Sequence, residues 1–384
     1  LISVLQTLSL LFSSGCSSQE IMATKESVLS KLPQELKLTY LKEITHDFSD
    51  EQKIGTGSFG TVYKGTLEDG DLIAVKKLQA NSPLGRDKDF KTKVRDVMAL
   101  KHENIVKMIG YCREEQTKSV ERSGRYVHEE TVETLLCYEY SPKGSLANYI
   151  YDGHDIIDWD IRFKIIKAIC QGLLFLHTLS VPIIHMDLKP ENLLMDERMV
   201  PKIADFGLAR LFGEKATHIM TQNVMGSYGY IAPEYRYSGQ VSLQADIYSL
   251  GILIMEITTG EKNISNDKDL PGMQYIENVR QIWTEEHIVS KYPKLDGTRF
   301  HEVKTCIKIG VECVKLQRKE RPAINEIVEW LNGTRNGKLH RRPVAMPTAK
   351  RRGRRRSHRP GQPRQAAVGV EFPSAYPMLR LFSA

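Results

Sequence analysis

The stretch His185-Met-Asp-Leu-Lys-Pro-Glu-Asn192 decides how the rest of this chain is read. It places an aspartate (Asp187), a lysine two residues on (Lys189) and an asparagine five residues on (Asn192) in one loop-sized span. Eighteen residues after Asp187 comes "DFG", with Asp205 as its acid. Phosphoryl transfer needs a carboxylate to orient the attacking hydroxyl, oxygen ligands for a divalent cation and a positive charge for the transferred group. Asp187, the pair Asn192 and Asp205, and Lys189 match those needs in that order. Met186 is the odd member, an apolar thioether beside the aspartate where a charged residue would be easy to rationalise.

Upstream, "IGTGSFGTVYKG" sets Gly55, Gly57 and Gly60 between Ile54 and Val62, in two expected strands. Glycines let backbone amides approach phosphates without Cβ obstruction. Taken alone the pattern fits a plain glycine hairpin equally well, and its place between strands argues against a strand-to-helix dinucleotide fingerprint. Fourteen residues past Val62 comes Lys76, in "LIAVKKL", on the same inward face as Ala74. An isolated lysine is ordinarily a solvated surface residue; the downstream motifs shift that reading. Ala232-Pro-Glu234 and Asp246, inside "DIYSLGILIMEI", complete the series.

Composition bounds the alternatives. A chain of 384 residues exceeds what one core usually fills, so two lobes or one domain with tails is expected. The net charge of +7 is unevenly spread: Lys338 to Ala384 carries twelve Lys or Arg against Glu371 alone, and the rest is mildly acidic. Six cysteines at positions 16, 112, 137, 170, 306 and 313 form no CxxC pair and no cluster with His, which reads as scattered core thiols in a reduced chain without structural zinc. The apolar opening LISVLQTLSLLF is shorter than the roughly 20 residues a bilayer span takes, and it lacks a basic leader. A protein starting near Met22 is the expectation.

The ordered motifs resemble those of eukaryotic protein kinases from about Phe48 to Leu331. "DLKPEN" with "GSYGYIAPE" is similar to the serine/threonine-specific pattern. "LKEITHDFSDEQKIGTGSFGTVYKG", "LLCYEYSPKGSL" and "CIKIGVECVKLQRKERP" resemble plant receptor-like kinases, particularly the cytoplasmic members. The fold so implied is α+β and bilobal, with a small β-rich N-lobe carrying one regulatory helix and a larger helical C-lobe. The resemblance implies ATP with Mg2+, Mn2+ being an acceptable substitute. Ile54, Gly55, Gly57, Gly60, Val62, Ala74 and Lys76 then bind the nucleotide, Glu139 and Ser141 offer backbone groups to adenine, and Tyr138 closes the back of the pocket. Asp187, Lys189 and Asn192 are the catalytic residues, Asn192 and Asp205 the metal ligands, and Glu234 pairs with Arg321. Expected partners are protein substrates and a membrane receptor or co-receptor kinase, with the chain in the cytoplasm or at the cytoplasmic face of the plasma membrane.

Two departures from that family pattern matter. Many kinases place an arginine before the catalytic aspartate, its charge neutralised by a phosphate on the activation loop. Met186 makes this the "non-RD" type, for which loop phosphorylation at Thr217, Thr221, Ser227 or Tyr228 is not required through that contact. The second departure is "DFKTKVRDVM", where Lys93 stands in place of the helix glutamate that pairs with the strand lysine. Two ammonium groups repel, so impaired catalysis is expected, and an ATP-binding pseudokinase scaffold is the alternative.

The expected organisation is an apolar and Ser-rich leader over 1–21, a helical extension over 22–47, a kinase domain over 48–331 divided at 140 and 141, and a basic Pro/Arg-rich tail over 332–384. Arg113 to Glu133, polar and charged, reads as an extended excursion between two strands. The tail's composition predicts disorder. It lacks interleaved aromatics for stacking bases, which confines nucleic-acid contact to non-specific attraction.

Overall fold

Alternating apolar residues and a tight Asp69-Gly70 turn set up the first sheet. The computed structural model describes residues 34–334 apart from 58, 81, 83, 86–88, 123–124, 152–156, 207–209, 212–218, 222–223 and 264–271. The leader, the basic tail from 335 onward, Cys16 and Thr217 lie outside the described residues. Five strands form an antiparallel sheet: β1 (Lys53–Gly57), β2 (Gly60–Thr66), β3 (Leu72–Leu78), β4 (Met108–Arg122) and β5 (Arg125–Glu139), in the order β1-β2-β3-β5-β4. Val62 pairs with Lys76 across β2 and β3, and Lys76 with Leu136 across β3 and β5.

Residues 113–133 are not an excursion between strands. They belong to β4 and β5 themselves, paired from Met108↔Tyr138 out to Arg122↔Arg125. The β3 ladder stops at Lys77↔Leu135, so the outer part of this hairpin continues as a two-stranded ribbon. The sequence from 113 to 133 is mostly polar and charged and carries no period-two apolar pattern to betray the ribbon.

Helix α1 (Leu38–Ile44) covers one face of the sheet. Its Leu38, Leu41 and Ile44 join Ile73, Val75, Leu135 and Cys137 in one buried cluster. Helix α2 (Phe90–Met98) packs on the other face, burying Phe90 and Val94 against Ala74, Leu136 and Tyr138. The preceding strap is tied to α2: Glu35 accepts two bonds from Lys91 Nζ at 3.0 and 3.1 Å.

The C-terminal lobe follows, with α3 (Ala147–Ile150), α4 (Trp159–Thr178), the short strands β6 (Ile183–Ile184), β7 (Leu193–Met195), β8 (Pro201–Ile203), β9 (Arg210–Leu211) and β10 (Ile219–Met220), then α5 (Pro233–Ser238), β11 (Gln240–Val241) and α6 (Leu243–Thr259). Helices α7 (Met273–Ile282), α8 (Glu285–Lys291), α9 (Gly297–Cys313) and α10 (Ile324–Leu331) complete it. Helix α6 is apolar nearly all round and buried from Ala245 to Thr259, as such a sequence requires. It crosses α9 closely because both carry glycine at the contact. A Cβ on Gly251 would lie 2.9 Å from Gly310 O, and one on Gly310 would meet Met255 Cγ at 2.5 Å.

Candidate active site

Strand β3 delivers Lys76 into the cleft between the lobes, where it is 7% exposed. Its Nζ lies 2.6 Å from Asp205 Oδ1. Ala74 and Val62 share one apolar cluster with Leu194 of β7, so this part of the cleft has an apolar ceiling and floor. Ile54, on the neighbouring strand, is a large apolar side chain left 47% exposed. Gly55 and Gly57 face open space, where an added Cβ would meet nothing within 4 Å. Gly60 differs from them: a Cβ there would collide with Lys77 O, so its lack of a side chain serves the close approach of β2 to β3.

The chain linking the lobes is fastened by Glu139. Its Oε1 accepts from Lys107 N and from Lys202 Nζ, both at 2.8 Å, and its own amide donates to Lys107 O. Tyr138 is buried behind it; burial, then the Asp205 carboxylate, raises its phenol well above the usual value. Ser141 sits at the mouth, its carbonyl accepting from Gly144 N.

The catalytic-loop residues converge on one carboxylate. Asp187 Oδ1 accepts from Ser227 N at 3.1 Å and Ser227 Oγ at 2.9 Å. Its Oδ2 accepts from Asn192 Nδ2 at 2.9 Å and lies 3.3 Å from Lys189 Nζ, which in turn donates to Ser227 Oγ at 2.6 Å. Asn192 Nδ2 also donates to Asp187 O at 2.8 Å. With both amide protons engaged, Oδ1 of Asn192 is the atom left for a cation.

Backbone strain marks this loop and the segment that follows β8. Met186 and Asp205 hold φ of +71° and +64°, a region that non-glycine residues seldom adopt. Asp246, fully buried on α6, holds the loop in place. It accepts from His185 N at 2.8 Å and Met186 N at 2.9 Å, and its Oδ2 lies 2.9 Å from His177 Nε2. His185 Nε2 bonds Ala204 O at 2.8 Å, and its ring packs edge-on to Phe206 at 5.2 Å. The Met186 side chain is buried among the C-terminal lobe's core residues. A thioether there satisfies packing and leaves no charge to neutralise.

A second framework supports the segment that carries Ser227. Glu234 and Arg321 form a two-pronged ion pair at 2.7 and 2.7 Å, with the arginine side chain fully buried. Glu256, also buried, accepts from Tyr230 Oη at 2.7 Å, Tyr151 Oη at 3.0 Å and Asn263 N at 2.8 Å. Burial pushes its carboxyl up to about 7.

The structure brings Lys76 to Asp205, gathers Lys189 and Asn192 on Asp187, and packs Val62, Ala74 and Tyr138 in one cluster. Lys93 is half-buried on α2, and the acid nearest Lys76 is Asp205. Sequence reasoning missed Leu194 as part of the apolar floor of the cleft and took Ser227 only as a phosphorylation site. Its hydroxyl is instead bonded to Asp187 and Lys189. The apolar residue two positions past Asn192 signalled the first; no local pattern signalled the second.

Two lobes enclosing a lysine, a glycine-rich turn and an Asp-Asn-Asp set define a nucleotide-dependent phosphotransferase. Residues 48–331 match the protein kinase domain model. The chain is 38% identical over 327 residues to cysteine-rich receptor-like protein kinase 29 of Arabidopsis thaliana, covering 83% of this chain and 45% of that protein. It is 40% identical over 302 residues to cysteine-rich receptor-like protein kinase 26 of the same plant, covering 76% and 43%. A G-type lectin S-receptor-like serine/threonine-protein kinase is 36% identical over 322 residues, covering 83% and 36%. The chain thus spans less than half the length of these curated relatives. It belongs to the protein kinase family, and its domain is of the plant receptor-like type. The relatives are kinases by name, which leaves the pseudokinase scaffold without support. Among the described residues no helix is long and apolar enough to cross a membrane.

Proposed function

We propose that this chain is a serine/threonine protein kinase that transfers the γ-phosphoryl group of ATP to protein hydroxyls in receptor-like signalling. The observation that carries the reading is the Asp187 carboxylate, 6% exposed and held by Ser227, Asn192 and Lys189 at the wall of an open cleft. The donors fit the cofactors. Asn192 and Asp205 offer hard oxygen ligands of the kind Mg2+ takes beside substrate phosphates, and a side chain at Gly55 or Gly57 would fill the cradle the phosphates need. Bound there, the nucleotide supplies the phosphoryl group and the divalent cation, Mg2+ with Mn2+ as a substitute, screens its charge.

Asp187 accepts the hydrogen bond of the incoming serine or threonine hydroxyl and aims its oxygen. Lys189 stabilises negative charge developing on the transferred group, while Lys76 steadies the phosphates. Ile54, Val62, Ala74 and Tyr138 surround the base, and the backbones of Glu139 and Ser141 read its edge. The names of the relatives favour a membrane receptor or co-receptor kinase as partner, with the chain in the cytoplasm or at the inner face of the plasma membrane. The test is Mg2+-dependent transfer from labelled ATP, by the full chain, to itself and to a generic basic protein. Transfer by the parent that disappears in Asp187→Asn supports the reading; equal labelling by both, or none by the parent, overturns it.

A further inference from the structure

Upstream of residue 48, where the kinase-domain match begins, a short strap joins the N-terminal lobe. It runs beside β4 as a parallel bridge: Leu36 N donates to Tyr111 O at 2.7 Å, and Tyr111 N donates to Gln34 O at 2.9 Å. A Cβ on Gly110 would lie 2.9 Å from Gln34 O, so the glycine admits the strap. Successive residues of an extended segment face opposite ways. Leu36 is buried with Leu38 and Leu41 in the cluster beneath α1, while Glu35 reaches α2.

Glu35 meets two groups there. Its Oε1 and Oε2 accept from Lys91 Nζ at 3.0 and 3.1 Å, and Oε2 also accepts from Tyr111 Oη at 3.3 Å. The Tyr111 ring stands edge-on to Phe90 at 5.7 Å, and the Arg113 guanidinium carbon lies 5.0 Å from the centre of the Phe90 ring. Phe90 and Lys91 are the first two residues of α2, so the helix is gripped at its start by the strap and by β4. Two residues further along stands Lys93, and across the cleft Lys76 is joined to Asp205. Where a lysine–glutamate pair ties this helix to the strand, the position of the helix governs phosphoryl transfer. Here the α2 side of that pair is an ammonium group, and α2 takes a charged tether from the strap.

We propose that Glu35 is a positioning residue for phosphoryl transfer: by gripping Lys91 and Tyr111 it sets where α2 stands over the cleft, from outside the kinase domain. This inference rests on the kinase reading above and adds to it a control of the same site by the strap.

The test compares kcat and KM of the full chain with those of Glu35→Gln, Glu35→Lys, Lys91→Glu and the double variant Glu35→Lys/Lys91→Glu, on one serine peptide. An ion pair about half exposed shifts an equilibrium by up to roughly five-fold, which bounds the effect. Glu35→Gln is expected to lower kcat by about two- to three-fold, and Glu35→Lys, which sets like charges together, by about five-fold, with KM for the peptide and the thermal midpoint nearly unchanged. The double variant restores the pair with its charges exchanged and recovers most of kcat, a rescue that a merely structural glutamate would not show. In a Lys93→Glu background, where α2 gains a tether to Lys76, the loss from Glu35→Lys shrinks. An unchanged kcat in Glu35→Lys, a loss that the double variant does not reverse, or an equal loss in both backgrounds overturns this inference and leaves the kinase reading intact. A parent that transfers no phosphate overturns both.

Discussion

Lys76 Nζ and Asp205 Oδ1 stand 2.6 Å apart, so the strand lysine takes its carboxylate from the segment proposed to hold the cation. On α2 the position that supplies a glutamate in similar kinases is Lys93. Asp205 thus has two claims on it, one from an ammonium group and one from the divalent cation it is proposed to hold.

Lys93→Glu should relieve that competition. A carboxylate on α2 gives Lys76 a separate partner and leaves Asp205 to the cation. The expected result is a several-fold rise in kcat and a lower Mg2+ concentration at half-maximal rate. Steady-state transfer assays across a Mg2+ series measure both.

Asp246→Asn should slow transfer by about ten-fold or more while the chain stays folded. The carboxylate accepts from two consecutive backbone amides, one of them on Met186 at its positive φ. An amide in its place loses one acceptor, at about 1–3 kcal/mol for each buried group left unmet. The strained loop then relaxes and Asp187 moves off its aim. A fall in kcat with little change in the thermal midpoint distinguishes this from unfolding.

Arg321→Ala should destabilise the domain by about 3–5 kcal/mol, because it strands the Glu234 carboxylate. Replacing both partners by apolar residues of similar size should recover much of the loss. Denaturant midpoints for the two variants and the parent decide it.

Glu256 gives stability a pH dependence of known sign. Its carboxyl is raised from 4.5 to about 7 by burial, so the folded chain holds a proton there that the unfolded chain has lost. Its favourable contribution is full below about 4.5 and falls as pH rises through about 7, by roughly 3 kcal/mol. In Glu256→Gln, Oε1 still accepts from Tyr151 and Asn263, and Nε2 donates to Tyr230. Its denaturation midpoint should therefore lose this part of the decline between pH 5 and 7.5.

Met186 predicts an enzyme indifferent to phosphate removal. No cation precedes Asp187, and the thioether is packed in the core. Phosphatase-treated protein, re-purified, should retain its initial rate, and a loss of several-fold would sink this expectation.

Much of the fold was legible because its signals are local. Helices α4, α6, α9 and α10 fall on apolar runs of the sequence, at 161–177, 245–259, 301–314 and 324–331. The β4–β5 ribbon was illegible for the opposite reason: it runs past the end of the β3 ladder, and its polar, charged sequence carries no apolar alternation. Gly60 looked like its two neighbouring glycines, and only the approach of Lys77 O separates its task from theirs.

By itself, the sequence determined the chemical groups of the site and their order, because His185, Asp187, Lys189 and Asn192 lie in one short loop whose spacing is set by the backbone. Tertiary structure alone decided what those groups touch. Ser227 meets Asp187 from forty residues away, Asp246 meets His185 from sixty-one, and Asp205 takes Lys76 from the other lobe. Such contacts depend on how helices and strands pack around the loop, and packing is a property of three-dimensional surfaces that no linear spacing encodes.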